Sequence, residues 1–400
     1  MDLAKRILFT LFALVIYRIG IWIPLPGIDP AILMYTDQWG VFESFIDRFS
    51  LFSLGIWPYI SAYAVLWFLK MLIPSLRKRS VLNDLSMDRY LRYGTIIICV
   101  IQSIGSLILF RNYMINDPMG SLHGFHPDDL NILFTLTFIL IMTSGTLFLV
   151  WLADQITKRG LGNGFLLMLF AGFAGELLQF KELLNDGNMS RLKSIIILLA
   201  FILLVSLVVG RQLSARYVPV GESDGQSKIT FKVHPISDIL IISLASWFIL
   251  IPSELINIFN LNNPILIGIA RALSPGAIFY FIVFTILMTL ISNFTYKTIY
   301  YNPRAIIDLL DKEGRMIPGI KSGEAIRVYL TNVLGRISLP ASILLAITAI
   351  YPDLLMKWAS IRYNIAYLMG GINIIIAVGA ALSVAQSIQR HRKSRDQRSR

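Results

Sequence analysis

The positive charges of this 400-residue chain crowd into alternate gaps between long apolar segments. The segments lie near 7–26, 53–73, 93–113, 130–152, 164–180, 194–210, 236–256, 276–296, 334–352 and 365–388. Most of the 36 Lys and Arg fall at the N-terminus, in the even-numbered loops and in the tail, while Arg18 sits inside the first segment. A spanning helix needs roughly 20 largely apolar residues, and loops rich in Lys and Arg stay cytoplasmic. The pattern predicts ten crossings with both ends inside. Charged residues make up 15% of the chain, against about 25% in soluble domains, so an ordinary soluble fold is excluded.

The segments at 164–180 and 194–210 are short for a crossing. Lys5 and Arg6 precede an apolar run with no small-residue cleavage site, so the first segment reads as a retained helix. The net charge of +12 is mostly cytoplasmic on this map. It suits anionic lipid headgroups and acidic cytosolic partners better than nucleic acid. Cys99 is the one cysteine, which excludes an intramolecular disulfide and a thiolate metal site. HExxH, GxSxG and phosphate-binding P-loop patterns are missing from the sequence, and the chain reads as no enzyme, with no cofactor and no metal. His123 and His126 lie three apart on an external loop without a third ligand.

Ten helices divide as five plus five, and with the N-terminus inside the two halves have inverted topology. The halves run 1–180 and 194–388, joined by a polar external loop at 181–193 and followed by a basic tail at 389–400. Two cytoplasmic loops stand out, 211–235 with a strand-like ITFKV, and 297–333. The external stretch 27–52 contains VFESFIDRFSLFSLG, too short and too polar to span. Such a segment is tolerated at membrane depth only where protein or water surrounds it. Arg18, well inside a helix, has to snorkel or reach a backbone carbonyl. Mid-membrane carboxylates are few, which disfavours an ion-coupled secondary transporter of five-plus-five inverted repeats, the alternative from another class.

Seven blocks in order then carry a resemblance. RILFTLFALVIYRIGIWIPLPGID (6–29), FSLGIWPYIS (52–61), YGTIIICVIQSIG (93–105) and GTLFLVWLADQITKRGLGNG (145–164) come first. LLMLFAG (166–172), YNPRAIIDLLDKEGRMIPGIKSGEAIRVYL (301–330) and GGINIIIAVG (370–379) follow. Together they resemble the SecY family of protein-translocation channels over nearly the whole chain. The resemblance implies an all-α polytopic membrane protein, with ten transmembrane helices in two inverted five-helix halves forming a clamshell. It implies a bacterial cytoplasmic-membrane location and a channel that passes unfolded secretory polypeptides and opens sideways to lipid. As partners it implies a SecE-like small subunit, a SecA-like motor ATPase and a SecG-like or accessory subunit.

The resemblance also assigns residues. The pore ring would be Ile56 and Ile60 of helix 2, Phe165 and Leu169 of helix 5, Ile242 of helix 7 and Ile376 of helix 10. A narrow apolar collar dewets and blocks ions. Phe165 departs from the family's aliphatic type. The plug would be the 41–52 segment, with Phe42, Phe45, Ile46 and Phe49 as its apolar face. Gln102 matches a polar position near the lateral gate. Motor or ribosome contact would fall on Arg304, Arg315, Lys321 and Arg327. Lys321 stands where the family carries arginine; it keeps the charge and loses the bidentate fork. That change, with the shortened plug and the short 211–235 loop, points to an accessory SecY paralogue dedicated to a few surface proteins, with the housekeeping channel as the alternative.

Overall fold

The computed structural model describes residues 3–25, 50–73, 84–115, 132–174, 191–213, 215–222, 225–232, 235–258, 264–273, 277–296, 303–312, 317, 320, 323–359, 366 and 369–398. Twelve helices and one hairpin lie among them. Ten helices overlie the ten apolar segments: α1 (Leu3–Ile21), α2 (Trp57–Leu72), α3 (Asp84–Ile115), α4 (Ile132–Arg159), α5 (Gly164–Phe173), α6 (Arg191–Leu213), α7 (Pro235–Ile258), α9 (Ile278–Thr295), α11 (Gly323–Ala359) and α12 (Gly371–Arg398). The other two, α8 (Pro264–Ala272) and α10 (Pro303–Lys312), are short.

Among the described residues, five helical stretches are long and apolar enough to cross a membrane: Asp88–Ile108, Ile132–Arg159, Ile278–Thr295, Glu324–Lys357 and Gly371–Lys393. The ten residues of α5 span about 15 Å along its axis, half the roughly 30 Å of bilayer hydrocarbon. At the other extreme α11 has 37 residues, about 55 Å, and so outreaches the bilayer. Part of the loop expected at 297–333 is therefore helix. In it α10 lays Ile306, Ile307 and Leu310 against Ile326, Leu330 and Leu334 of α11, with Ile317 completing a small apolar core. The basic tail likewise continues α12 as helix to Arg398.

The loop expected to hold one strand holds two. β1 (Ala215–Glu222) pairs antiparallel with β2 (Gly225–Lys232), in register from Ala215 opposite Lys232 to Glu222 opposite Gly225. Two residues connect them, the length of a tight hairpin.

The chain forms two compact units. The first comprises Met1–Leu66, Leu85–Gly175 and Ala380–Arg400; the second comprises Trp67–Asp84 and Glu176–Gly379. Within the first, α1 runs against α4 and α5. A Cβ on Gly20 would overlap the Phe52 ring, and one on Gly145 would overlap the Leu51 carbonyl oxygen. Within the second, α9 and α11 make the most extensive helix pair, tied by Ser338 Oγ donating to Asn293 Oδ1 at 2.6 Å. The start of α12 lies hard against α11, because a Cβ on Gly371 would overlap the Thr348 carbonyl.

Candidate pore-lining site

In the first unit the four expected ring residues lie on or beside two helices, three of them at the helix starts. Ile56 immediately precedes α2 and Ile60 lies one turn on, its N–H donating to the Ile56 carbonyl at 3.3 Å. Both are buried. The approach to them is fixed by Phe52, whose ring lies between Tyr17 (6.3 Å between centroids) and Phe148 (5.9 Å). Gly55, at φ 54°, makes the turn in a region open to glycine at little cost. On α5, Phe165 stacks on Tyr59 of α2 at 4.6 Å, which brings the two helix starts together. Leu169 follows one turn later and is buried.

The α4–α5 turn, GLGNG, would leave N–H groups orphaned at a helix start. Three hydroxyls and an amide take them up. Leu161 N–H donates to Thr10 Oγ1 at 2.9 Å, Asn163 N–H to Ser383 Oγ at 3.0 Å and Gly164 N–H to Thr157 Oγ1 at 2.9 Å. Asn163 Oδ1 accepts from Phe165 and Leu166 N–H at 3.0 and 3.3 Å, an N-cap. The other end of α5 is met by Arg18, whose guanidinium donates to the Ala171 carbonyl at 3.4 Å, a cation at a helix C-terminus. Asn163→Ala is expected to cost about 1 kcal/mol and to lower the melting temperature of the detergent-solubilised protein, whereas Asn163→Asp keeps the cap and most of the stability.

In the second unit the two remaining expected ring residues are also buried, Ile242 on α7 and Ile376 on α12. Each lies beside a polar link to the end of α6. Arg211 donates to both oxygens of Asp238, at 2.5 and 2.8 Å, and the Tyr296 hydroxyl donates to the same carboxylate at 2.9 Å. Asp238 precedes Ile242 by one turn of α7. Gln212 Nε2 donates to the Ile375 carbonyl at 3.4 Å, next to Ile376. Sequence reading did not single out Arg211, Gln212, Asp238, Tyr296, Tyr59, Thr10 or Ser383.

The remaining expected residues divide as follows. Phe42, Phe45, Ile46 and Phe49 lie outside the described residues; the root of their segment does not. There Pro24 and Ser50 form an isolated bridge and Leu51 N–H donates to the Ile23 carbonyl at 2.9 Å. Gln102 is half-buried on α3. Arg304 belongs to α10, and Arg327 pairs with Glu324 at 2.7 Å on the first turns of α11, a surface pair of small energetic weight. Arg315, Lys321, His123 and His126 lie outside the described residues.

These features define a multi-pass helical membrane protein whose expected ring residues lie on helices braced by polar links. The family model SecY matches residues 50–385. The chain is 31% identical to protein translocase subunit SecY of Aquifex aeolicus over 97% of its own length and 94% of that protein's. Against protein translocase subunit SecY of Staphylococcus aureus it is likewise 31% identical, with the same shares covered. The chain belongs to the SecY family. Its fold resembles a SecY structure concerned with a plug domain and the closed channel (TM-score 0.57, 18% identity, 98% of this chain and 93% of that one). It also resembles a protein-conducting channel (TM-score 0.53, 17% identity, 98% and 93% covered). Family membership sets aside the secondary-transporter alternative.

Proposed function

We propose that this chain is the pore-forming subunit of a Sec-type protein translocase in a bacterial cytoplasmic membrane, with both termini cytoplasmic. Family membership across nearly the whole chain carries this reading. Unfolded secretory polypeptides pass through a collar formed by Ile56, Ile60, Phe165, Leu169, Ile242 and Ile376. Their apolar side chains exclude water and ions from a narrow constriction and yield by rotamer changes to a passing peptide. The aliphatic type of five of the six, and the burial of those five, support that role. The 41–52 segment closes the collar from outside, rooted by the Pro24–Ser50 bridge. Gln102 sits at the side exit, where a polar group sets how hydrophobic a segment must be to enter lipid.

The chain itself is a passive conduit; ATP chemistry belongs to a SecA-like motor acting on the cytoplasmic loops, where Arg304, Arg315, Lys321 and Arg327 offer charge. A SecE-like subunit braces the halves (1–180 and 194–388), with a SecG-like or accessory subunit as a further partner. The lysine at the loop tip and the shortened loops support an accessory channel for dedicated surface proteins.

The test is photo-crosslinking of a stalled secretory polypeptide in membrane vesicles, from a photo-reactive residue at Ile60 and then at Ile376. The expected result is crosslinks at both sites that require the motor and ATP. An engaged substrate that touches neither site overturns the pore reading and favours a scaffold without a through-pore.

A further inference from the structure

The end of α6 makes polar bonds beside both proposed ring positions of the second unit, just before the β1–β2 hairpin begins. Arg211 and Gln212 are adjacent, and β1 begins at Ala215. Arg211 is 7% exposed, Gln212 1% and Asp238 0%. Through its pair with Asp238, Arg211 fixes the first turns of α7, one turn from Ile242. Through its amide, Gln212 reaches the backbone of α12 beside Ile376. Two consecutive residues therefore hold two different helices, each next to a ring position, at the point where the chain leaves for the hairpin.

Packing alone does not require this arrangement. The Ile375 carbonyl lies within α12, so the helix supplies its ordinary partner. The amide oxygen of Gln212 is buried with no hydrogen-bond partner. A half-satisfied buried amide is worse for stability than an apolar side chain of similar size. What the amide provides, and leucine would not, is a directional tie between α6 and α12.

We propose that Arg211 and Gln212 are positioning residues that couple the hairpin to the collar. A ligand seated on the hairpin displaces the end of α6, and the two ties carry that displacement to α7 at Ile242 and to α12 at Ile376. The proposal rests on the pore reading of those two residues. Nearness along such a chain is not coupling, so the coupling itself has to be measured.

The experiment uses the full-length chain with its small subunit in proteoliposomes, in a C99A background carrying I376C. The probe is an antibody fragment raised against residues 215–232, and the readout is the rate at which a thiol reagent modifies position 376. Binding of the fragment is expected to change that rate about fivefold or more. Adding Gln212→Leu is expected to cut the response below about twofold, since only the tie is lost. Melting temperature should equal or exceed that of the parent and small-subunit copurification should be unchanged, a combination that a purely structural role for Gln212 does not produce. Gln212→Met, also free of the amide, serves if the leucine variant is not recovered. A parent that does not respond, or a Gln212 variant that responds like the parent, overturns the proposal. Loss of substrate crosslinks at Ile376 is a separate result and overturns the pore reading instead.

Discussion

Replacing Asp238 with alanine is expected to remove most of the folded protein from the membrane fraction. The carboxylate is fully buried and accepts two bonds from Arg211 and one from Tyr296. Without it the guanidinium stays buried with its counter-charge gone, at a cost of about 3–5 kcal/mol. Folded proteins hold only about 5–15 kcal/mol in reserve, so the loss takes a large share of it. The same physics predicts a rescue. Arg211→Met combined with Asp238→Leu removes both charges and leaves an apolar contact, which in other buried pairs is neutral or stabilising. The order of melting temperatures in detergent should be parent and double variant together, with Asp238→Ala far below. If Asp238→Ala melts with the parent, the pair contributes nothing and the buried-charge argument fails here.

That pair also marks what the sequence could not reveal. The ten apolar segments were legible because a bilayer imposes a length on each crossing, and each segment has a matching helix. Arg211 and Asp238 are 27 positions apart and sit at opposite ends of a loop, where each resembles an ordinary interfacial charge. The hydroxyls that hold the α4–α5 turn were hidden for another reason. Ser and Thr in apolar helices commonly bond back to their own helix, as Thr95 does to the Leu91 carbonyl and Ser103 to that of Cys99. Nothing in the local sequence separates them from Thr10 and Ser383, which accept bonds from a turn more than 150 residues away. The first hairpin strand was missed because Pro219 argues against a strand. A two-stranded sheet consists only of edges, so proline is tolerated, and Pro219 sits opposite Lys228. The helical part of the 297–333 loop escaped because α10 is ten residues long, too short to register against a membrane-length window.

Valine at Gly164 or Gly371 is expected to damage the channel more than any other single glycine replacement tested beside them. Both residues begin helices that carry proposed ring positions, α5 with Phe165 and α12 with Ile376. A Cβ on Gly164 would overlap the Ala153 carbonyl and come within 2.9 Å of Ile156 Cβ; one on Gly371 would overlap the Thr348 carbonyl and come within 2.7 Å of Ala349 N. The obstacles are mostly backbone of α4 and α11, which cannot swing aside as a side-chain tip can. Overpacking of this kind costs about 1–3 kcal/mol or more, and the helix start has to move to relieve it. Moving it carries Phe165 or Ile376 out of position, so substrate crosslinking at Ile60 and Ile376 should fall along with the melting temperature. The controls are Gly105 and Gly210, where a Cβ meets nothing within 4 Å. Alanine at either is expected to be neutral or to stabilise its helix by up to about 1 kcal/mol. If the valine variants at 164 and 371 behave like these controls, close helix approach is not what fixes the starts of α5 and α12.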